Sequence, residues 1–220
     1  MTDQGLWRDL GGDIAAFGPL THADLSRDDS IEGMARRALT DAPLSFILIG
    51  FSMGGYVARE IARLAPKRVR ALVLVATSAR GDTEVQKQRK AAFPQASTTA
   101  FGGLSRSAVM SSLHPDRAAD EGMIERVRVM STRLGGDVFR RQSLIKRNED
   151  LNRLGEIHCS TLIIAAAQDR LRSLNEAKEL HNGIAGSTLE IMQGCGHMIP
   201  VEAPLHLAQI IVRWLNSRLT

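Results

Sequence analysis

Cysteine is scarce in this 220-residue chain, where only Cys159 and Cys195 occur. Two thiols are too few to staple a chain of this length, so a disulfide framework is excluded as the basis of the fold, and two free thiols suit a reducing compartment. Long apolar runs are missing as well. No stretch approaches the roughly 18 apolar residues that a membrane span needs. The N-terminal MTDQGLWRDLGGD has early acids and no continuous apolar region, which is not the pattern of a secretory signal, so a cytoplasmic location is expected. There is no internal repeat and no low-complexity tract. With 44% apolar and 24% charged residues, the chain reads as one soluble globular domain, too short for a second full one.

Acids are nearly absent from one segment. Between Arg126 and Arg147 seven basic residues (Arg126, Arg128, Arg133, Arg140, Arg141, Lys146, Arg147) accompany a single acid, Asp137. A solvated helix face accounts for this pattern, with attraction of an anionic substrate as the second reading. No aromatic residues are interleaved as a nucleic-acid surface would require, so no nucleic acid and no membrane are expected as partners. The pattern does not specify an oligomeric state.

What is present is an alternation. Short β-branched apolar runs alternate with helical patterns, which predicts a mostly parallel sheet flanked by crossover helices, an α/β fold. Strands are expected at Thr21 to Ala23 (a weak pattern), Ser45 to Phe51, Val69 to Ala76, Thr161 to Ala167 and Thr188 to Met192. Helices are expected near Leu6 to Phe17, Ile31 to Leu39, Met53 to Leu64, Arg172 to His181 and Leu205 to Arg218. Gly81 to Glu156 breaks the alternation, with helix-like patterns and no convincing strand. A connection this long between two strands is an insertion. The expected organisation is a core of residues 1–80 and 157–220 with a helical insertion of residues 81–156.

Gly50-Phe51-Ser52-Met53-Gly54 matches G-x-S-x-G, and it lies where an apolar strand meets a helix, the context this motif requires. There a serine occupies a strained turn that exposes its hydroxyl, and the first free backbone N–H of the helix, that of Met53, can stabilise an oxyanion. A serine hydroxyl is a poor nucleophile until a base takes its proton and a carboxylate orients that base. His197 stands on a glycine-flanked loop after the strand Thr188 to Met192, a setting the other five histidines lack. His114, in the insertion, could line a pocket, and a surface or helix-end role is the commoner fate of such a residue. Asp169 follows Leu162 to Ala167, at the C-terminal end of a buried strand where ligands gather in open parallel sheets; a helix N-cap is its alternative role.

With these residues in place the chain resembles the α/β-hydrolase superfamily, from about Leu6 to Leu219. The likeness rests on the elbow GFSMG, on Ala65-Pro66-Lys67-Arg68-Val69 followed by Leu72 to Val75, and on Gly194-Cys195-Gly196-His197-Met198-Ile199-Pro200-Val201-Glu202-Ala203-Pro204. The resemblance implies Ser52 as nucleophile, His197 as general base and acid, Asp169 as its orienting carboxylate, and 81–156 as a helical lid. Met53 would serve the oxyanion, and Phe51 and His114 are candidate substrate contacts. The family also has a strand and an oxyanion loop ahead of the helix near Leu6. Their place would fall before Met1, so a fold lacking its first strands is expected, with either the Thr21 strand shifted to pair directly with the Ser45 strand or an open strand edge, and with a weakened oxyanion hole.

The function expected is hydrolysis of a small ester, thioester or lactone through an acyl-enzyme, with a small acyl substrate and no cofactor. A catalytically silent domain with a binding or assembly role is the alternative, as are carbon-carbon bond hydrolysis and acyl transfer on the same fold. A metal site from His158-Cys159 and Cys195-x-His197 lacks the C-x-x-C spacing that would support it.

Overall fold

In the computed structural model, residues 2–92 and 101–219 are described, so part of the expected insertion, 93–100, lies outside the described residues. Four strands form one parallel sheet in sequential order: β1 (Phe46–Phe51), β2 (Val69–Val75), β3 (Ser160–Ala166) and β4 (Thr188–Met192). Strand residues alternate between two apolar cores. Ala71, Val73, Val75, Leu162 and Ile164 point to one face, and Leu72, Leu74 and Ile163 point to the other. A sheet covered on both sides explains why β2 and β3 read as unbroken apolar runs rather than alternating ones.

The helices supply the two covers. Three short early elements, Gln4–Trp7, α1 (Gly11–Ile14) and Ala15–Phe17, precede α2 (Ile31–Asp41) and α3 (Met53–Leu64). Val57, Ala58 and Ile61 of α3 pack with Met34 and Ala35 of α2 on the second face. Between β2 and β3 lie α4 (Glu84–Ala91), α5 (Arg106–Ser112), α6 (Glu121–Leu134) and α7 (Gly136–Leu144). Val109, Leu113, Ile124, Val127 and Met130 of this segment form a third core with Leu6, Met198 and Val201. After β3 come α8 (Leu174–Gly183), α9 (Ile199–Glu202) and α10 (Pro204–Arg218). Leu207, Ile211 and Leu215 of α10 cover the first face. None of the described helices is long and apolar enough to cross a membrane.

Several expectations are corrected at their ends. Thr21 to Ala23 forms no strand; its surroundings are exposed, and Asp24 instead turns the chain by accepting hydrogen bonds from the N–H and Oγ of Ser26. β1 therefore has one neighbour, β2, among the described residues. The helix expected over Leu6 to Phe17 is three short pieces, consistent with the low helix propensity of the Gly11-Gly12 pair, and Gly18 at φ 131° ends it. Ala76 leaves β2 because it adopts φ 47°. The helix expected from Arg172 begins at Leu174, since Ser173 and Glu176 form a reciprocal capping box.

A dense ion network holds the base of the segment between β2 and β3. Arg59 is wholly buried, and its Nε donates to Asp150 Oδ2 at 2.9 Å. Asp82 N–H donates to the Arg147 carbonyl at 2.8 Å while Arg147 N–H donates back to Asp82 Oδ2 at 2.9 Å. Burial pushes the Asp82 carboxyl up, but the Arg147 N–H and the Lys90 ammonium outweigh it and leave the group below its ordinary value.

Candidate active site

Ser52 sits between the last residue of β1 and the first of α3, with φ 50° and ψ −112°, a conformation costing a residue with a side chain about 1–3 kcal/mol. The end of β2 holds it there. Ser52 N–H donates to the Val75 carbonyl at 2.9 Å, and Thr77 Oγ1 donates to the Ser52 carbonyl at 2.7 Å. The close approach depends on glycines. A Cβ on Gly50 would stand 2.6 Å from the Gly54 carbonyl oxygen, and one on Gly55 would stand 2.4 Å from Thr77 Oγ1. Gly54, the last glycine of G-x-S-x-G, meets nothing within 4 Å.

The ends of β3 and β4 bring the other two groups. His197 Nε2 lies 3.0 Å from Ser52 Oγ, and His197 Nδ1 lies 2.8 Å from Asp169 Oδ2. An ionised carboxylate only accepts, so Nδ1 carries the proton and Nε2 presents its lone pair to the serine hydroxyl. The second Asp169 oxygen, Oδ1, accepts the N–H groups of Leu171 and Arg172 at 2.7 and 2.9 Å. Asp169 therefore organises its own turn and faces the imidazole at once; the N-cap of α8 is Ser173. Asp169 and His197 side chains are 1% and 7% exposed. This enclosure limits competition from water for the Asp169–His197 bond.

Phe51 packs its ring 5.1 Å from that of His197 and meets Trp7 edge-on at 6.4 Å. Met53 opens α3, and the first N–H groups of a helix have no partner within it. A cavity of about 570 Å³ opens beside Ser52, lined by Phe51, Met53, Gly54, Trp7, Leu134 and Val138 among others. His114 is not among its lining residues; its Nδ1 accepts Asp116 N–H at 3.2 Å and caps the short turn Pro115–Arg117. A larger cavity of about 840 Å³, walled by charged side chains such as Arg63 and Arg147, shares no lining residue with the first and contains none of the three. Size alone does not pick out Ser52, which lines the smaller cavity.

The basic cluster is largely taken up in pairing. Arg126 reaches Asp9 at 2.5 Å, Arg133 reaches Asp3 at 2.6 Å, and Arg147 reaches Asp82 at 3.3 Å. These acids lie far away in sequence, which is why the segment looks unbalanced when read alone. Burial raises both thiols, Cys159 and Cys195, above their ordinary values and disfavours the thiolate a metal would need. Among the described residues no three His, Cys, Asp or Glu side chains converge as a metal cluster. Sequence reasoning did not single out Glu202, which is buried beside the His197 loop.

Comparison with known proteins follows the same lines. Over 49 residues the chain is 49% identical to a pimeloyl-[acyl-carrier protein] methyl ester esterase of Klebsiella pneumoniae, covering 22% of this chain and 19% of that protein. It is 26% identical over 194 residues to a monoacylglycerol lipase of Mus musculus, covering 78% of this chain and 55% of that one. The chain thus matches from about a fifth to about half the length of these curated relatives. Among solved structures, a thermophilic esterase from Thermogutta terrifontis superimposes with a TM-score of 0.82 at 22% identity, covering 100% of this chain and 87% of that one. An enol-lactonase from Burkholderia xenovorans superimposes with a TM-score of 0.80 at 16% identity, covering 98% and 87%. The model of the alpha/beta hydrolase fold matches residues 27–204, most of the 220, and the chain belongs to that family.

Proposed function

We propose that the chain is a serine hydrolase that cleaves a small ester, thioester or lactone through an acyl-enzyme. The observation that carries the reading is the pair of distances at His197, 3.0 Å to Ser52 Oγ and 2.8 Å to Asp169 Oδ2. His197 Nε2 takes the Ser52 proton as Oγ bonds to the substrate carbonyl carbon, and the carbonyl electron pair moves onto oxygen. Met53 N–H faces that oxyanion. Asp169 stabilises the imidazolium, which then gives its proton to the departing alcohol or thiol oxygen or sulfur. A water repeats the sequence on the acyl-enzyme and releases the acid and free Ser52.

The helical segment 81–156 acts in this reading as a cap, with Leu134 and Val138 lining the cavity next to Ser52. Phe51 packs the imidazole and lines the same space, which suits it to contact the acyl group. The ester-cleaving names of the relatives support this class, as does the fold.

The test is Ser52→Ala assayed on activated aryl esters. Loss of a nucleophile costs up to about 10⁶ in kcat, so the variant should fall to background and should no longer be labelled by an active-site-directed fluorophosphonate. Equal hydrolysis by parent and variant would reject the mechanism. A parent that is neither active nor labelled would favour a silent domain.

A further inference from the structure

The carboxylate of Glu202 takes no part in the chemistry above, yet its side chain is 0% exposed. A buried carboxylate is costly unless its oxygens are hydrogen-bonded, and both are. Oε1 accepts Gly196 N–H at 3.0 Å, and Oε2 accepts His114 N–H at 2.8 Å. One donor belongs to the loop that carries His197. The other belongs to the helical segment between β2 and β3, 88 residues away in sequence.

The same two pieces of chain meet twice more. The Ser112 carbonyl accepts the N–H groups of His197 and Met198 at 2.8 and 3.2 Å. A Cβ on Gly196 would stand 2.4 Å from the Leu113 carbonyl carbon, so the backbones touch directly. Arg117 closes the outside: its Nη1 donates to the Gly194 and Glu202 carbonyls at 3.0 and 3.3 Å, and lies 3.8 Å from Glu202 Oε2.

We infer that Glu202 is a positioning residue that clamps the His197 loop to the helical segment and so keeps the imidazole between Asp169 and Ser52. The inference rests on Ser52 and His197 being the hydrolytic pair. The reason for an acid is chemical. Two N–H donors converge from different directions, and only a carboxylate offers two acceptor oxygens. An amide of the same shape has one acceptor and turns its NH₂ against the second donor. Proton transfer needs heavy atoms within about 2.6–3.2 Å, so the 3.0 Å separation of His197 and Ser52 leaves a few tenths of an ångström of slack.

Two variants cut the clamp at opposite ends. Glu202→Gln keeps the volume and removes one acceptor. His114→Pro replaces the other donor N–H with a ring carbon that forces Glu202 Oε2 off that side, at a residue whose φ of −56° already suits proline. For each, kcat on an aryl ester is expected to fall by about tenfold or more, as misplacement of a catalytic group does. KM should change little, since no substrate contact is lost. The NMR resonance of the His197 Nδ1 proton, held against Asp169, should shift or broaden while far-UV circular dichroism is unchanged. Either variant, folded, with the parent's kcat and resonance overturns the proposal, and so does a rise in KM alone. If the parent cleaves no ester, the hydrolytic reading fails, and the resonance still decides whether Glu202 holds the imidazole.

Discussion

On the histidine flank of Ser52, the Asp169 and Glu202 carboxylates each bind through both oxygens, and backbones from two parts of the chain touch at Gly196. On the β1 flank the sheet ends at a strand with one neighbour, and a cavity of about 570 Å³ runs past Leu48, Ile49 and Gly54. In the proposed mechanism the first flank is fixed where proton transfer needs fixed geometry, and the second is open where a substrate needs room. The division follows from strand order: β3 and β4 deliver Asp169 and His197 on one side of β1, and no strand among the described residues occupies the other.

The sharpest way to break the closed flank is to keep its shape and spoil its charge. Asp169→Asn should lower kcat by about 10⁴-fold with the fold intact, because an amide in place of the carboxylate favours the wrong imidazole tautomer; steady-state kinetics beside thermal unfolding would check this. A smaller effect is expected from Gly196→Ala. The added methyl meets the Leu113 backbone, and such overpacking costs about 1–3 kcal/mol, read as a fall in the urea midpoint together with a lower kcat. Gly54→Ala is its counterpart on the open flank and should be the mildest. Its methyl meets nothing within 4 Å, and alanine favours a helix over glycine by up to about 1 kcal/mol, so stability should hold or rise slightly. A loss of stability at Gly54 equal to that at Gly196 would erase the contrast between the flanks.

Much of the framework was legible in the sequence because local signals agreed. The expected bounds of α3 match the structure, since the helix starts directly after the G-x-S turn and stops before Ala65-Pro66. Those of β4 also match, as a short apolar run closed by a glycine loop. Thr21 to Ala23 failed because three residues with one β-branched member define no strand without a partner. The meeting of Ser52, Asp169 and His197 was readable because each follows its own strand. Glu202 was not, because its carboxylate gains meaning only from donors at Gly196 and His114, one of them 88 residues away. The available signal was weak: an acid standing alone in the apolar run Met198-Ile199-Pro200-Val201-Glu202-Ala203-Pro204. Likewise Arg126 and Arg133 looked unpaired until folding brought Asp9 and Asp3 to them.

The backbone at Ser52 has a consequence for durability. Its φ of 50° with ψ of −112° is a geometry glycine adopts at little cost and serine does not. Net stability of a domain is on the order of 5–15 kcal/mol, so a local strain of about 1–3 kcal/mol is an appreciable fraction. Selection for thermal resistance alone would therefore drift position 52 toward glycine and remove the hydroxyl. Reactivity and longevity oppose each other at this one residue, and any hardening of the molecule has to come from elsewhere in the chain.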